Sequence, residues 1–427
     1  MKSGLRSIFL ILWCGLLPAK NGSAYAAFNT FSRVSDLNSL RQLSEQMVFV
    51  LGYSEPGDGG GGWFRWEPNI MEEPDGSMRI RPHSFKQGCF ARVTDGAGLN
   101  VKWFGAKGDG KHNDTEAIQS AIEWASARQS FFQQSIAVRD LVLIPSGQFL
   151  VDSLELKSGV ILQGAGQFSS VILHTGNSSR CIYNEKGHHN RWVGIRELTV
   201  IGSDNKGTYT EGIHLFEANY SSYINRITIR GFTQNIVLED CWTFQLTRSH
   251  LFKAHRNNLT ILNGTAMEIS GNRIDGAGKS NIQISRSKRY RNTGILIRNN
   301  AIQQAQEYGL YCRDTNSLLL EGNFFEANNR NGGFAFVYIE GPQTSKHCLI
   351  HSTSNYFSGA NKSAPNSVGI FLKGNVKSFS SNQDYFSGSM GYGIYSVDLQ
   401  SKEFVISGTT FHSKSDLKLP SDIKIIN

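Results

Sequence analysis

Four hydrophobic positions, Ile213, Ile236, Leu259 and Ile282, follow one another at intervals of 23 residues, and each opens an apolar-x-apolar strand. A strand that alternates apolar and polar residues and recurs at a fixed interval cannot bury its inward face alone, so successive copies must stack into a solenoid. Leu310, Phe336, Ile370 and Ile394 carry the series on at longer intervals, which implies inserted loops in the later turns. A second column supports the register: Gly271-Asn272-Arg273-Ile274, Asn299-Asn300-Ala301-Ile302, Gly322-Asn323-Phe324-Phe325 and Ser354-Asn355-Tyr356-Phe357. Stacked Asn side chains can hydrogen-bond from rung to rung, with the aliphatic or aromatic residue that follows packed inside. At 427 residues the chain exceeds one ordinary globular core, and a solenoid buries its apolar residues without adding domains.

Composition fits many short strands joined by tight turns, since only 18% of residues are charged while 44 are glycine. At the amino terminus Lys2 and Arg6 precede an apolar run from Ile8 to Leu17, and Ala24-Tyr25-Ala26 follows as a small-residue cleavage site. Residues 1–26 therefore read as a signal peptide, and the run is far short of the ~20 residues that span a bilayer. The expected product is secreted or periplasmic, begins near Ala27 and has no membrane span. Loss of Lys2, Arg6 and Lys20 lowers the net charge from +8 to +5, a modest excess that suits an anionic polymer. The one basic cluster, Arg286 to Arg291, is short and lacks a nucleic-acid-binding motif around it. Cys89, Cys181, Cys241, Cys312 and Cys348 are odd in number and scattered, which argues against a disulfide framework and against zinc.

Residues 27–100 form a small module in which the glycines between Gly52 and Trp66 make a tight turn between two strands. There follows Phe104-Gly105-Ala106-Lys107-Gly108-Asp109-Gly110, then Asp114-Thr115-Glu116-Ala117-Ile118. Asn113 and Glu116 have capping-box spacing, and Ile118, Ala121, Ile122 and Ala125 have helical spacing. One short helix near 114–128 should cap the open end of the solenoid. The stretches Leu141–Ile144 and Val160–Gly164 read as buried strands.

This glycine-rich motif, the helix after it and the later Ile144-Pro145-Ser146-Gly147 and Leu162-Gln163-Gly164-Ala165-Gly166 strings resemble the opening of the pectate-lyase-3 branch of the pectin-lyase-like superfamily. That branch includes secreted polysaccharide-degrading enzymes and phage tailspikes, and the resemblance covers residues 101–415. It implies an all-β fold, a right-handed single-stranded parallel β-helix over 101–427, as a monomer or a homotrimer. The motif speaks for fold and weakly for reaction.

Rungs of a parallel stack lie about 4.8 Å apart, so equivalent positions become neighbours. Glu217, Asp240, Asn263, Arg286 and Asp314 follow the first strand of successive rungs. His214, Glu239, Gln283, Ser285, Tyr311 and Arg313 lie beside them at outward positions, and Asp275, Gln303 and Glu326 form another outward column. The plain reading of the first column is a solvated stack of turns, with Arg286 and Asp314 as a surface ion pair. The functional reading runs a groove across Glu217, Asp240, Arg286 and Asp314.

Elimination from a uronate needs its carboxylate neutralised and a base near the C5 proton. Arg286 and Arg313 could neutralise, His214 or Tyr311 could take the proton, and Glu217 with Asp240 could hold Ca²⁺. Hydrolysis needs paired carboxylates instead. Glu217 and Asp240 stand one rung apart, near the ~5 Å of a retaining pair, and Asp275 and Glu326 two rungs apart, nearer the ~6.5–9.5 Å of an inverting pair. Tyr311, Arg313, Glu239, Trp242, Asp275 and Glu326 would bind substrate, with Trp242, Tyr290 and Tyr311 available to stack on sugar faces. The motif sets that mark polygalacturonases and mannuronan C5-epimerases are missing. The expected activity is cleavage of an acidic polysaccharide by β-elimination, with hydrolysis, glycan adhesion and tailspike-like depolymerisation as alternatives.

Overall fold

The computed structural model describes residues 29–418, except 44, 128–130, 133–135, 138–139, 188–189, 204–207, 287–291, 332–333, 343–347, 360–366, 389, 400–402 and 412–415. The expected leader lies outside the described residues. From residue 99 on, the chain winds into a right-handed parallel β-solenoid whose three sheets contain twelve, twelve and eleven described strands. Each turn visits the first sheet, then the second, then the third, as in Gln245–Thr247, His250–Phe252 and Asn257–Leu262.

The 23-residue register holds residue for residue, with Ile213 paired to Ile236, Ile236 to Leu259 and Leu259 to Ile282, and the column continues from Ile282 to Leu310 across a longer interval. It breaks from expectation once. Leu310 pairs with Val337, not Phe336, and Val337 pairs with Ile370. A shift of one residue would exchange the inward and outward side chains of the strand, so Val337 rather than Phe336 continues the inner column.

Inside the solenoid the asparagines form a wire. Asn272, Asn300, Asn323 and Asn355 each donate from Nδ2 to the Oδ1 of the next member, at 2.9–3.0 Å, the last reaching Asp384. A second wire, unforeseen, joins Asn235 to Asn258 and Asn258 to Asn281 at 2.7 and 2.9 Å. Asn281 then reaches Asn328, and the Nδ2 of Asn328 lies where Gly309 has no Cβ to obstruct it. Both arrays are buried, where leaving an amide unpaired is costly.

Asp384 ends the first array, accepting at Oδ1 from Asn355 and at Oδ2 from the Ser381 hydroxyl. Burial raises its pKa against those hydrogen bonds. A raised carboxyl pKa means stability that is present below the unfolded value and is lost as pH rises through the folded value. Asp384→Asn should therefore stabilise the protein at neutral pH by about 1 kcal/mol, with the gain shrinking towards pH 4. Urea midpoints measured across that range check this, and a gain independent of pH would contradict it.

One helix, α1 (Thr115–Ala127), closes the end of the solenoid, and its buried Ile118, Ala121, Ile122 and Ala125 join the main core. The expected capping box is replaced. Asn113 Oδ1 accepts from the Thr115 amide at 3.0 Å, and Asp114 turns back to accept from the amides of Lys107 and Gly108. Residues 29–92 build a separate five-stranded sheet with its own small core around Leu37, Val50, Phe64 and Phe90. Its glycine-rich turn joins the antiparallel strands Met47–Gly52 and Gly62–Glu67, with Asp58 accepting from four backbone amides. Buried Arg92 donates to the carbonyls of Gly60 and Gly61 and packs over Phe64 and Trp103. Among the described residues no helix is long and apolar enough to cross a membrane.

Candidate functional site

Strand alternation sends Ile213 and Leu215 into the core and His214 and Phe216 outward. Pairing then aligns outward positions of the third sheet into three columns. One runs Arg180, Glu211, Gln234, Asn257. The next runs Tyr183, His214, Val237, Thr260, Gln283, Tyr311, Tyr338, Phe371, Tyr395. The last begins Phe216, Glu239, Leu262, Ser285 and resumes at Arg313, Glu340, Lys373. Along the helix axis the face passes from charged, through amide and hydroxyl, to aromatic.

At its charged end the columns converge on His214. Nδ1 of His214 lies 2.5 Å from Glu211 Oε2, Arg180 Nε donates to the same oxygen at 3.1 Å, and the Tyr209 hydroxyl donates to Glu211 Oε1 at 2.8 Å. Lys186 Nζ bonds Glu239 Oε1 at 2.6 Å. The other imidazole nitrogen, Nε2, is buried without a hydrogen-bond partner and lies 3.6 Å from Glu239 Oε2. The imidazole stacks on Phe216 at 3.9 Å. Glu211 anchors Nδ1 as a carboxylate anchors a working imidazole, leaving Nε2 as the free position.

The charges are tuned accordingly. Burial alone lowers the His214 pKa, but Glu211 and Glu239 outweigh it and the net shift is upward. The approach of His214, too long for a hydrogen bond but close in charge, holds Glu239 down at about 2, assisted by Lys186. Burial opposes ionisation of Glu211, yet His214, Tyr209 and Arg180 keep its pKa below the usual range. Burial and the nearby Glu211 push the Tyr209 phenol up to about 12.

Of the sequence-selected residues, His214 and Glu239 fall in this centre. Tyr311 and Arg313 lie four rungs along the same face, where Tyr311 stacks on Tyr338 and Arg313 faces Glu340 and Asp314 at 3.7 and 3.9 Å. Glu217, Asp240, Asn263 and Asp314 turn the corner that leaves the third sheet, all with left-handed backbone, φ 48°, 55°, 58° and 58°. That conformation favours Asn and Asp, so the column has a backbone reason for its composition. Asp240 accepts from Asn263 at 2.8 Å. Arg286 is exposed at the next corner, and the ion partner of Asp314 is Arg313 rather than Arg286. Beyond the corner, Trp242 packs against Tyr220, and Tyr220 against Trp192. Tyr290 lies outside the described residues.

Asp275 and Glu326 stand on the second sheet, a different face. Asp275 is held by His250 and Arg273 at 3.2 and 2.6 Å, and Glu326 accepts from Gln303 at 3.0 Å. Glu217 and Asp240 belong to no group of three or more potential metal ligands among the described residues. Ca²⁺ takes six to eight oxygens, so two corner carboxylates do not by themselves fit it. A cleft of about 470 Å³ lies at the junction of the amino-terminal sheet and α1, lined by Asp75, Glu116, Glu123 and Trp124, away from the His214 face. The five described cysteines are buried and free.

Tyr209, Glu211, Lys186 and Arg180 were not singled out in the sequence. Glu211 and Arg180 lie at strand starts in the same rung column as Gln234, a signal visible only once the strand is extended back from Ile213. Tyr209 and Lys186 come from connections of irregular length, which no column records.

A family model described as rhamnogalacturonase A/epimerase, pectate lyase-like, matches residues 98–335. Alginate lyase 7 of Azotobacter vinelandii is 33% identical over 181 residues, covering 39% of this chain and 19% of the lyase. The chain thus spans about a fifth of that relative's length. A tailspike protein of Acinetobacter baumannii bacteriophage Fri1, a capsular polysaccharide depolymerase, superposes with a TM-score of 0.71 at 13% identity, covering 90% of this chain and 71% of the tailspike. The A-module of the A. vinelandii mannuronan C-5 epimerase AlgE4 does so at 0.57 and 17%, covering 73% and 94%. At these identities the two solved structures speak for the fold.

Proposed function

The chain belongs to the rhamnogalacturonase A/epimerase, pectate lyase-like family, and from that premise we propose that it cleaves an anionic polysaccharide by β-elimination along the third sheet. The observation that carries this is the chain Tyr209–Glu211–His214, with Nε2 of the imidazole left unpartnered. Likeness to an alginate lyase supports a uronate polymer as substrate, and the leader-like residues 1–26 support a site of action outside the cytoplasm.

In the free protein the Lys186–Glu239 pair covers Nε2. A sugar carboxylate that takes Lys186 from Glu239 would open the imidazole and be neutralised at the same time, with Arg180 adding positive charge. The C5 proton then passes to Nε2. Its bonding electrons form the C4–C5 double bond as the C4–O4 bond breaks, and O4 leaves with the proton of Tyr209. The imidazolium passes its Nδ1 proton through Glu211 to the Tyr209 phenolate, and exchange with solvent then removes the proton from Nε2 and restores one at Nδ1, which returns the base to its starting tautomer.

Hydrolysis is less well served. A glycosidase acid must hold a proton near neutral pH, whereas Glu211 and Glu239 are both held below the usual carboxylate range. The test is incubation with alginate. Ultraviolet-absorbing unsaturated ends are expected. New reducing ends without unsaturation, a changed uronate stereochemistry without cleavage, or no change in the polymer would each overturn elimination, pointing to a hydrolase, an epimerase and a binder respectively.

A further inference from the structure

We propose that the aromatic half of the third sheet is a remote subsite that grips sugar rings of the same polymer, so that the protein works on the interior of long chains. This rests on the His214 centre as the place of reaction. Tyr311, Tyr338, Phe371 and Tyr395 occupy one outward column on successive rungs, with ring centroids 5.1, 5.1 and 5.7 Å apart. Tyr308 and Tyr392 flank the column at 5.4 and 5.1 Å from Tyr311 and Tyr395. Phe334 stands edge-on to Phe371 and is 44% exposed.

Three features distinguish this field from ordinary packing. It lies on the outer face of the sheet as a small cluster apart from the main core, in which Phe371 is buried while Tyr311, Tyr338 and Tyr395 are half-buried. The Tyr308, Tyr311 and Tyr338 hydroxyls bond no other described residue, and burial keeps these phenols protonated, Tyr338 with a pKa of about 12. An apolar ring with a free hydroxyl at its edge matches a sugar, which has an apolar C–H face and a polar rim. The column is also continuous with the reaction centre. Gln234, Asn257, Thr260 and Gln283 form a linked run of amides and a hydroxyl between His214 and Tyr311.

The geometry sets the scale. Tyr311 is four rungs from His214 and Tyr395 seven, about 19 and 34 Å at about 4.8 Å per rung. A short oligosaccharide seated at His214 cannot reach the aromatics, whereas a polymer lying along the axis crosses both. Beside the rings, Arg313, Glu340 and Lys373 alternate in sign, so this half reads ring surface while Lys186 and Arg180 read charge.

The test compares alginate with a mannuronate trimer. Tyr338→Ala should lower the ratio of kcat/KM for alginate over the trimer by about tenfold, the scale of one lost aromatic contact, and Tyr338→Trp should restore it. The control is Tyr356→Ala, which breaks an equally stacked column on the second sheet, Phe324–Tyr356–Tyr385, and should leave the ratio unchanged. An unchanged ratio in Tyr338→Ala, or an equal fall in Tyr356→Ala, overturns the proposal. Retardation of the protein in alginate-containing gels gives a readout independent of turnover. If elimination fails but Tyr338→Ala abolishes retardation and Tyr356→Ala does not, the subsite stands without the lyase; if neither variant alters retardation, the subsite falls.

Discussion

His214→Asn should lower turnover on alginate by at least ~100-fold, the usual scale for a lost general base, while leaving the melting transition close to that of the parent. Asparagine retains an N–H that can donate to Glu211 in place of Nδ1, so the Tyr209–Glu211 contact survives, and what disappears is the atom at Nε2. The pH profile separates a base from a structural residue. A base must be neutral to accept a proton, and the His214 pKa is raised by its two carboxylates. Turnover should therefore climb with pH along a limb centred above the ordinary histidine value of ~6.5. The stability that the imidazolium contributes runs the other way, present below the unfolded pKa and lost as pH rises through the folded one. Activity thus appears as the charged cluster relaxes. Full activity in His214→Asn, or a limb below the ordinary value, would remove His214 from the reaction and return attention to Asp240 and Glu217 at the corner.

Asn300→Ala should cost about 3 kcal/mol or more, read as a lowered urea midpoint. Asn300 accepts from the amide and side chain of Asn272 at 2.9 and 3.0 Å and donates to Ile269 O and Asn323 Oδ1 at 2.8 and 3.0 Å. Alanine leaves these partners buried and short of a bond, at roughly 1–3 kcal/mol for each unsatisfied group. The neighbouring Asn299→Gly is the contrast. Asn299 has φ 53°, and Gly322 fills the equivalent corner one rung on, so that change should stay within about 0.5 kcal/mol. A cost below 1 kcal/mol for Asn300→Ala would mean that the wire adds little beyond the backbone ladder.

The repeat was legible because it is one-dimensional. Ile213, Ile236, Leu259 and Ile282 each need the same inward position, and equal spacing carries that need directly into register. The slip at Phe336 arises where the spacing loosens: both Phe336 and Val337 are buried and apolar, so hydrophobicity cannot choose between them. Asn235, Asn258 and Asn281 are equally periodic, but each stands one residue before the inward Ile236, Leu259 and Ile282, at a position whose side chain hydrophobic patterning does not mark. The site was half legible for a different reason. His214 and Glu239 sit at alternating strand positions, whereas Tyr209 and Lys186 arrive from connections whose lengths obey no period. The corner residues Glu217, Asp240 and Asp314 look alike as acids, but their shared feature is a backbone dihedral, which side-chain chemistry does not spell out.

The Asn272-to-Asp384 array has a direction. Each side-chain amide gives one N–H to the next member toward the carboxyl end and the other to a backbone carbonyl of the preceding turn, and the run stops at a carboxylate that accepts from the last amide and offers none of its own. A row of this kind can be lengthened internally without being rewired, because a duplicated turn presents the same acceptor behind it and the same donor ahead. The natural unit of divergence for this molecule is then the whole turn. Each duplication of the turn between Asn272 and Asn300 would move the aromatic field one rung, about 4.8 Å, farther from His214. The span of polymer that the protein measures would change in discrete steps while the chemistry at one end stayed as it was.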